Sequence, residues 1–240
     1  MFEFCRRYHI STPGLAHLVD LKLVRLNDDL AITALHGRSQ LRRDSADAFA
    51  LKLNSILRFP PRDLPLLALG DLFHGIGGQH KPWGAILQAA LAGHIPIYFD
   101  GDLSGDIDLR KASLSEALAR DVLAKRRLDL LAVPRPTSYR VFRGYLTRVE
   151  AESYLNCFPR DLSFLVANTD IDPRMWENDI HYLARTFITS REISWRWRVS
   201  PMLRDALPIS HSIRRVLGPF WPRQEIEQHF NSMFPEGAPV

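Results

Sequence analysis

The chain has 240 residues, of which 46% are hydrophobic and 24% are charged, and its formal net charge is +4. This composition excludes a disordered chain, and so small an excess of positive charge suits a nucleic-acid-binding protein and many enzymes alike. No stretch reaches the roughly 20 apolar residues of a membrane span and the first residues lack a signal-peptide pattern, so we expect a cytoplasmic protein without a membrane partner.

The first predicted unit covers residues 1–59. A helix begins near Thr12, and two apolar segments after it, Leu23–Leu26 and Ala31–Leu35, flank a turn and predict a hairpin. A further helix over Asp44–Leu57, with its apolar residues facing inward, completes a small winged-helix unit.

The second predicted unit, residues 60–132, is more divergent. Its expected elements are a helix over Leu64–Phe73, a loop at Gly75–Gly78, a helix over Pro82–Ala92 that Gly93 ends, a strand over Ile95–Phe99 and a helix up to Arg127. Ser113 and Glu116 have the spacing of a capping box, in which each side chain bonds the other residue's backbone N–H, so we expect them to open the last helix. The glycine loop lacks the spacing of a phosphate-binding loop and predicts no nucleotide site.

Two further units are predicted at residues 140–186 and 187–230, after a stiff proline-containing linker at Pro134–Thr137. Residues 231–240 are expected to form a flexible tail. In the fourth unit, Ile209–Trp221 predicts a hairpin. The helix expected over Pro222–Phe230 corresponds to one over Asp179–Phe187 in the third unit.

A repeated phrase supports this division. Thr147-Arg148-Val149-Glu150 and Thr189-Ser190-Arg191-Glu192 lie 42 residues apart, and both have the spacing of a capping box. In each copy a proline, Pro159 or Pro201, then opens a second helix. A third copy fits the N-terminus at an offset of 189 residues, with the position of the capping threonine before Met1, so we expect the chain to be the C-terminal part of a longer protein.

These repeats predict a mainly α fold with short β-hairpins, built from tandem helix-turn-helix or winged-helix-like units. Such a unit presents the outward face of its second helix to the major groove while nearby cations hold phosphates, so the expected partner is double-stranded DNA. Arginine is favoured because its guanidinium fits both guanine edges and phosphates. The candidate DNA-binding residues are Arg6, Arg7, His17, Lys22, Lys81, Gln88, Arg160, Ser163, Asn168, Arg196, Arg198, Arg204, Arg214 and Arg215.

The sequence predicts no enzyme, no cofactor and no metal site. The zinc-protease pattern H-E-x-x-H, the hydrolase pattern G-x-S-x-G and any Cys-x-x-Cys pair are absent. The aspartates between Asp100 and Asp108 are typical of a solvated loop. Cys5 and Cys157 are expected to be reduced core residues.

The tandem helical pattern is clearest in five segments, which are Tyr145–Ala151, Leu162–Val166, Phe187–Ile193, Pro82–Leu87 and Gly93–Pro96. In these segments the chain resembles the C-terminal region of TniQ-like transposition proteins, which are target-site factors of bacterial mobile elements. Members of that family carry an N-terminal domain with cysteine and histidine zinc ligands, and nothing in this chain matches it. The resemblance implies a non-catalytic DNA-binding accessory factor, or a fragment of one, that works with transposition proteins.

Two other functions stay open. One is a protein-interaction adaptor without DNA binding, and the other is an excisionase-like or repressor-like regulator. A basic stripe across the outward helices would support DNA binding, whereas Trp83, Trp176 and Trp221 exposed together would support a protein partner.

Overall fold

The computed structural model describes residues 2–27, 29, 40–103, 107–133, 146–169, 172, 174–210 and 213–234. The helices are α1 (Phe2–Tyr8), α2 (Thr12–Asp20), α3 (Arg43–Ile56), α4 (Leu69–His74), α5 (Trp83–Leu91), α6 (Glu116–Leu123), α7 (Leu128–Leu131), α8 (Arg148–Leu155), α9 (Pro159–Ala167), α10 (Glu177–Thr186), α11 (Ser190–Trp197), α12 (Pro201–Ser210) and α13 (Arg223–Met233). The strands are β1 (Leu57–Arg58), β2 (Leu66–Ala68), β3 (Ile97–Tyr98), β4 (Ser113–Ser115), β5 (Phe187–Thr189) and β6 (Phe220–Pro222). Helices predominate and the strands are short, which confirms the predicted mainly α composition.

The contacts divide the chain into two compact units. Unit 1 combines residues 1–70, 82–118 and 127–143, and unit 2 combines residues 71–81, 119–126 and 144–240. The predicted division into four consecutive segments stays a prediction. The predicted linker at Pro134–Thr137, the strand over Ala31–Leu35 and most of the predicted tail lie outside the described residues, although Leu26 at the start of that hairpin pairs with Leu41.

Unit 1 contains a four-stranded sheet in the order β1-β3-β4-β2. β1 and β3 are parallel, with Leu57 opposite Ile97, and β4 is antiparallel to both of its neighbours, with Leu114 opposite Leu67. Leu114 is fully buried between two half-buried serines, the alternation of a strand that has one face in the core.

This sheet corrects two sequence predictions. The helix expected from Leu64 begins only at Leu69, because Leu66–Ala68 forms β2. Ser113 lies in β4 and caps no helix; instead Ser115 Oγ accepts from Leu118 N at 3.4 Å at the start of α6. That helix ends at Leu123, before the expected Arg127.

The helix pairs that correspond to the three sequence copies are each joined by a turn with a left-handed residue. The residues are His9 between α1 and α2, Asn156 between α8 and α9, and Arg198 between α11 and α12, with φ of 50°, 51° and 52°. They occupy equivalent places in the three sequence copies. After the first, Ile10 N donates to Cys5 O at 3.1 Å, which is the bond of a Schellman cap that spans six residues. This bond satisfies a carbonyl at the end of the helix.

The two capping boxes predicted from the repeated phrase have different outcomes. At α8 the box forms, since Glu150 N donates to Thr147 Oγ1 at 3.3 Å and Thr147 N donates to Glu150 Oε2 at 2.8 Å. At α11 only half of it forms: Thr189 Oγ1 accepts from Glu192 N at 3.1 Å. The Glu192 carboxylate binds Arg223 instead, at 2.7 and 3.0 Å, because it lies in the interior beside that guanidinium.

The core of unit 2 surrounds the ladder formed by β5 and β6. Ile188 lies opposite Trp221, and both are fully buried with Ile193, Ile226 and Phe230. The hairpin predicted over Ile209–Trp221 is shorter than expected, since α12 continues to Ser210 and an isolated bridge joins Leu217 to Phe220. Cys157 is buried and Cys5 half-buried, and neither forms a disulfide.

Candidate nucleic-acid interface

In unit 1, α2 and α5, which were predicted to face DNA, are buried against each other. α2 packs on α5, and every residue from Thr12 to Leu18 is buried, as is the N-terminal half of α5. Glycines allow this close approach. A Cβ on Gly14 would lie 2.6 Å from Trp83 Cδ1, and one on Gly84 would lie 3.0 Å from the Cβ of His17.

His17 is therefore a packing residue. Its side chain is 1% exposed and lacks the access that contact with a base or phosphate requires, which corrects its assignment as a DNA contact. The outward face expected for α2 does not exist in unit 1, because α5 covers it.

The other candidates of unit 1 are scattered over several elements. Arg6 is exposed at the end of α1, and Arg7 is half-buried with its guanidinium 5.5 Å from the centroid of the Tyr8 ring. Lys22 is exposed in the turn after α2, and Gln88 is exposed on α5. These residues do not form one helix face.

The assignment of Lys81 as a DNA contact is also corrected, because Lys81 is a buried structural lysine. Its ammonium group donates to Phe73 O at 2.8 Å, Ile76 O at 2.6 Å and Asn156 Oδ1 at 2.7 Å, so all three donors are satisfied. Burial lowers the pKa of Lys81 to about 7. Such a side chain is not available to DNA.

The assignment of Arg196 as a DNA contact is corrected as well. Its side chain is 7% exposed and lies in a cluster of buried charges, with Nη1 2.5 Å from Glu227 Oε1 and 3.9 Å from Glu192 Oε1. Arg223 completes the cluster through its two bonds to Glu192 and a third to Glu227 at 3.3 Å. Two arginines and two glutamates thus neutralise one another inside unit 2.

Asn156 connects this cluster to the turn before α9. Its Nδ2 donates to Ile76 O at 3.2 Å and to Glu192 Oε2 at 3.4 Å, while its Oδ1 accepts from Lys81. Its backbone carbonyl accepts from Thr189 Oγ1 at 3.0 Å. The residue that turns the chain between α8 and α9 is therefore also held by two other segments, residues 76–81 and 189–192.

In the helix pair α8–α9, the second helix, α9, keeps an exposed polar face. Its inward residues, Leu162 and Leu165, are at most 1% exposed. Its outward residues follow helical spacing and are all exposed: Arg160, Ser163, Phe164, Ala167 and Asn168. The three predicted contacts, two on this helix and Asn168 directly after its last residue, are thus brought together on one side.

Local bonds hold this face in place. Arg148 Nη2 donates to Ser163 Oγ and, at 2.8 Å, to Pro159 O, while Asn168 Nδ2 donates to Phe164 O at 2.8 Å. The side chain of Arg160 is 85% exposed and its nearest carboxylate oxygen, on Asp161, lies 3.7 Å away. A serine, an asparagine and an exposed arginine on one helix are the groups that hydrogen-bond to base edges and phosphates.

Phe164 and Ala167 also belong to this face, although they were not among the predicted contacts. Steps of four and seven residues from Arg160 lead to both of them, so helical spacing alone would have found them. Apolar side chains in these positions can contact the methyl group of thymine.

α12, the second helix of the last pair, has an apolar outward face. Met202 is 78% exposed, Leu203 is 46% exposed and Ile209 is 62% exposed. The face offers few groups that could bond to DNA, although it belongs to the same kind of helix pair as α9.

The arginines around α12 are partly engaged with one carboxylate. Arg204 and Arg215 bind Asp205, at 3.0 and 2.7 Å. Arg214 is exposed, and Arg198 is half-buried in its left-handed turn. The predicted contacts of this region therefore do not line up on the outward side of α12.

The tryptophan set proposed as a sign of a protein partner is not exposed together. Trp83 and Trp221 are core residues at 3% and 0% exposure, whereas Trp176 is 41% exposed with its indole N–H bonded to Asp172 Oδ2 at 3.0 Å.

In the part of the chain that the structure describes, no three His, Cys, Asp or Glu side chains gather as metal ligands. Within the same ranges, every helix is too short or too polar to cross a membrane. Comparisons of the chain with protein-family profiles, with curated proteins and with solved structures find no match.

Proposed function

We propose that this chain is a non-catalytic protein that binds double-stranded DNA, with α9 as the helix that enters the major groove. The observation that carries the proposal is the exposed face of α9, where Arg160, Ser163 and Asn168 lie on one side of a helix packed by Leu162 and Leu165.

The position of Arg160 supports this orientation, because it lies in the first turn of α9, where the helix dipole also favours phosphate. Arg148 of α8 lies beside the same end through its bond to Pro159 O, although it is paired with Glu152 at 3.1 Å. A helix that approaches DNA with this end would place Ser163 and Asn168 further along the groove.

The biological role in this proposal follows from the resemblance to TniQ-like proteins. The chain would act as an accessory or target-site factor of a mobile element, together with transposition proteins. An excisionase-like or repressor-like regulator would use the same DNA-binding helix, so these roles differ in the partner protein and the target sequence.

A protein-interaction adaptor is the second candidate function, and α12 favours it. Met202, Leu203 and Ile209 expose apolar side chains on one helix, as interaction surfaces commonly do. This role would need no DNA. It predicts that substitutions on α9 leave the affinity for the partner protein unchanged.

The test is fluorescence anisotropy with random duplex DNA over a salt series, on the wild type and on the double variant Arg160→Ala/Asn168→Ala. We expect salt-dependent binding by the wild type, and for the variant a smaller salt slope by about 1, because one phosphate-binding cation is lost. Selection of preferred duplexes should show weaker sequence preference, by about 5- to 150-fold for each lost base contact.

Arg185→Ala/Gln224→Ala is the matched control, since it removes one exposed arginine and one exposed amide from other helices of unit 2. Equal effects of the two double variants would refute the role of α9. Absence of binding by the wild type at low salt would refute DNA binding and leave the adaptor function.

A further inference from the structure

Unit 1 contains a cavity of about 480 Å³ between the end of α2 and one face of α3. Its lining includes four cationic side chains, two hydroxyl groups and one carboxylate, which are those of Lys22, Arg25, Arg42, Lys52, Ser45, Ser55 and Asp44. The volume is in the range of small-molecule sites. Only Lys22 of these residues was expected from the sequence to bind a ligand.

The carboxylate in the cavity is already engaged. Asp44 accepts two bonds from Arg42, at 3.1 and 2.6 Å, and one from Ser45 N at 2.8 Å. The side-chain bond from Arg42 is the largest cause that holds the pKa of Asp44 below its usual range. Asp44 therefore neutralises Arg42 and leaves the other cations of the cavity uncompensated.

Three cations remain. Among the described residues, Lys22, Arg25 and Lys52 form no ion pair, and all three are exposed. Cations around one concave surface repel one another and raise the local concentration of anions. The cavity thus has an excess positive charge that an anionic ligand would neutralise.

The backbone around these cations is fixed. Lys22 sits in a left-handed turn, with Leu23 N bonded to Leu18 O at 2.8 Å. Arg25 is bonded on both sides, since its N donates to Ser45 Oγ at 2.9 Å and its O accepts from Arg42 N at 2.9 Å.

α3 supplies the rest of the cavity from one helix face. Ser45, Phe49, Lys52 and Ile56 follow one another at helical spacing, and Phe49 is 2% exposed and anchors this face in the core. The cavity is therefore built on packed elements and not on side chains alone.

We propose that this cavity binds a phosphate group of a nucleotide or of a nucleic-acid backbone. Lys22, Arg25 and Lys52 supply the charge, and the hydroxyl group of Ser45, which accepts from Arg25 N, keeps its proton as a further donor. The cavity is larger than one phosphate needs, so a sugar or a second phosphate fits beside it. This site lies on unit 1 and is independent of the face of α9.

The test uses the full chain and the triple variant Lys22→Gln/Arg25→Gln/Lys52→Gln. Calorimetry measures binding of pyrophosphate and of ATP, and anisotropy measures binding of duplex DNA over a salt series. We expect the variant to lose at least 10-fold in affinity for the ligand that the wild type binds.

Two further variants control for charge and folding. Arg58→Gln/Arg62→Gln/Lys111→Gln removes three exposed cations elsewhere in unit 1 and should change affinity by less than about 2-fold. Lys22→Arg/Lys52→Arg keeps the charge and should keep binding. Circular dichroism shows whether each variant is folded.

The arms distinguish the sources of phosphate. Binding of pyrophosphate or ATP that the triple variant loses assigns a free nucleotide. If only DNA binds, and the triple variant lowers the salt slope by about 2 to 3, the ligand is the nucleic-acid backbone. The proposal is wrong if the wild type binds neither class, or if the triple variant behaves like its charge-matched control.

The outcome is separable from that of the proposed function. Arg160→Ala/Asn168→Ala should keep the affinity for pyrophosphate or ATP while it alters sequence preference. The cavity variant should keep that preference. Loss of DNA binding from the cavity variant alone would support the phosphate site and refute the role of α9.

Discussion

The second helices of the two units are used in opposite ways. In unit 1, α2 and α5 cover each other, with Gly14 and Gly84 at the points of closest approach. In unit 2, α9 buries Leu162 and Leu165 and leaves Arg160 in solvent. One type of helix pair thus serves as a packing element when small residues occupy its outward side, and as a surface when polar residues do.

The largest expected effect tests how unit 2 holds its helix pairs while α9 stays exposed. Arg223→Met leaves the carboxylate of Glu192 buried without its bidentate partner, and we expect a loss of about 3–5 kcal/mol in the free energy of unfolding. Arg126→Met breaks an exposed pair with Asp121 and should cost at most about 1 kcal/mol. Chemical denaturation measures both, and equal losses would show that the buried cluster is not needed.

The next effect tests the buried side of the comparison. Gly14→Val should lower the free energy of unfolding by about 2–3 kcal/mol, because the new side chain collides with Ile10 and Trp83 between α2 and α5. Ala167→Val, on the exposed side of α9, should cost no more than about 0.5 kcal/mol. Thermal melts of the two variants would contradict the comparison if Gly14→Val melted like the wild type.

A third test contrasts two lysines that the sequence treats alike. Burial lowers the pKa of Lys81 to about 7, below its value of 10.5 in the unfolded chain. Between these values the unfolded state binds more protons, so stability should rise from about pH 7 towards pH 10, by at most about 1.4 kcal/mol per pH unit. Denaturation at several pH values should show this rise in the wild type and not in Lys81→Met, whereas Lys22→Met should retain it.

The smallest expected effect concerns the cap of α6. Ser115→Ala should cost about 1 kcal/mol, because it removes the oxygen that accepts from Leu118 N. Ser113→Ala, in β4, should cost less, since its hydroxyl donates to the carbonyl of nearby Lys111 and caps no helix. A larger loss for Ser113→Ala than for Ser115→Ala in denaturation experiments would instead support the capping box predicted at Ser113.

Local signals predicted much of the helical structure. The cap at Thr147 depends on residues within one turn, and the turn at Asn156 recurs in three copies, so neither needs information from distant residues. β2 was missed because its partner Ser113–Ser115 lies far along the chain and the pairing is not visible in three residues of sequence.

The candidate site was predicted only in part, for a related reason. Burial of His17, Lys81 and Arg196 results from elements that pack on them from other parts of the chain, which charge and spacing do not reveal. The face of α9 was found as far as Arg160, Ser163 and Asn168, because helical spacing is a local property. The cations Arg25 and Lys52 were missed because they meet Lys22 only through the packing of α3.

The turn at Asn156 gives unit 2 a further property. Its side chain and carbonyl bond to Lys81, Ile76, Glu192 and Thr189, so the turn before α9 cannot open without exposing the buried charges. These segments should therefore exchange their amide hydrogens through one shared opening reaction. α9 would then be held by a cooperatively folded block. Substitution of the outward residues of α9 could therefore change the target of the proposed DNA binding without destabilising that block.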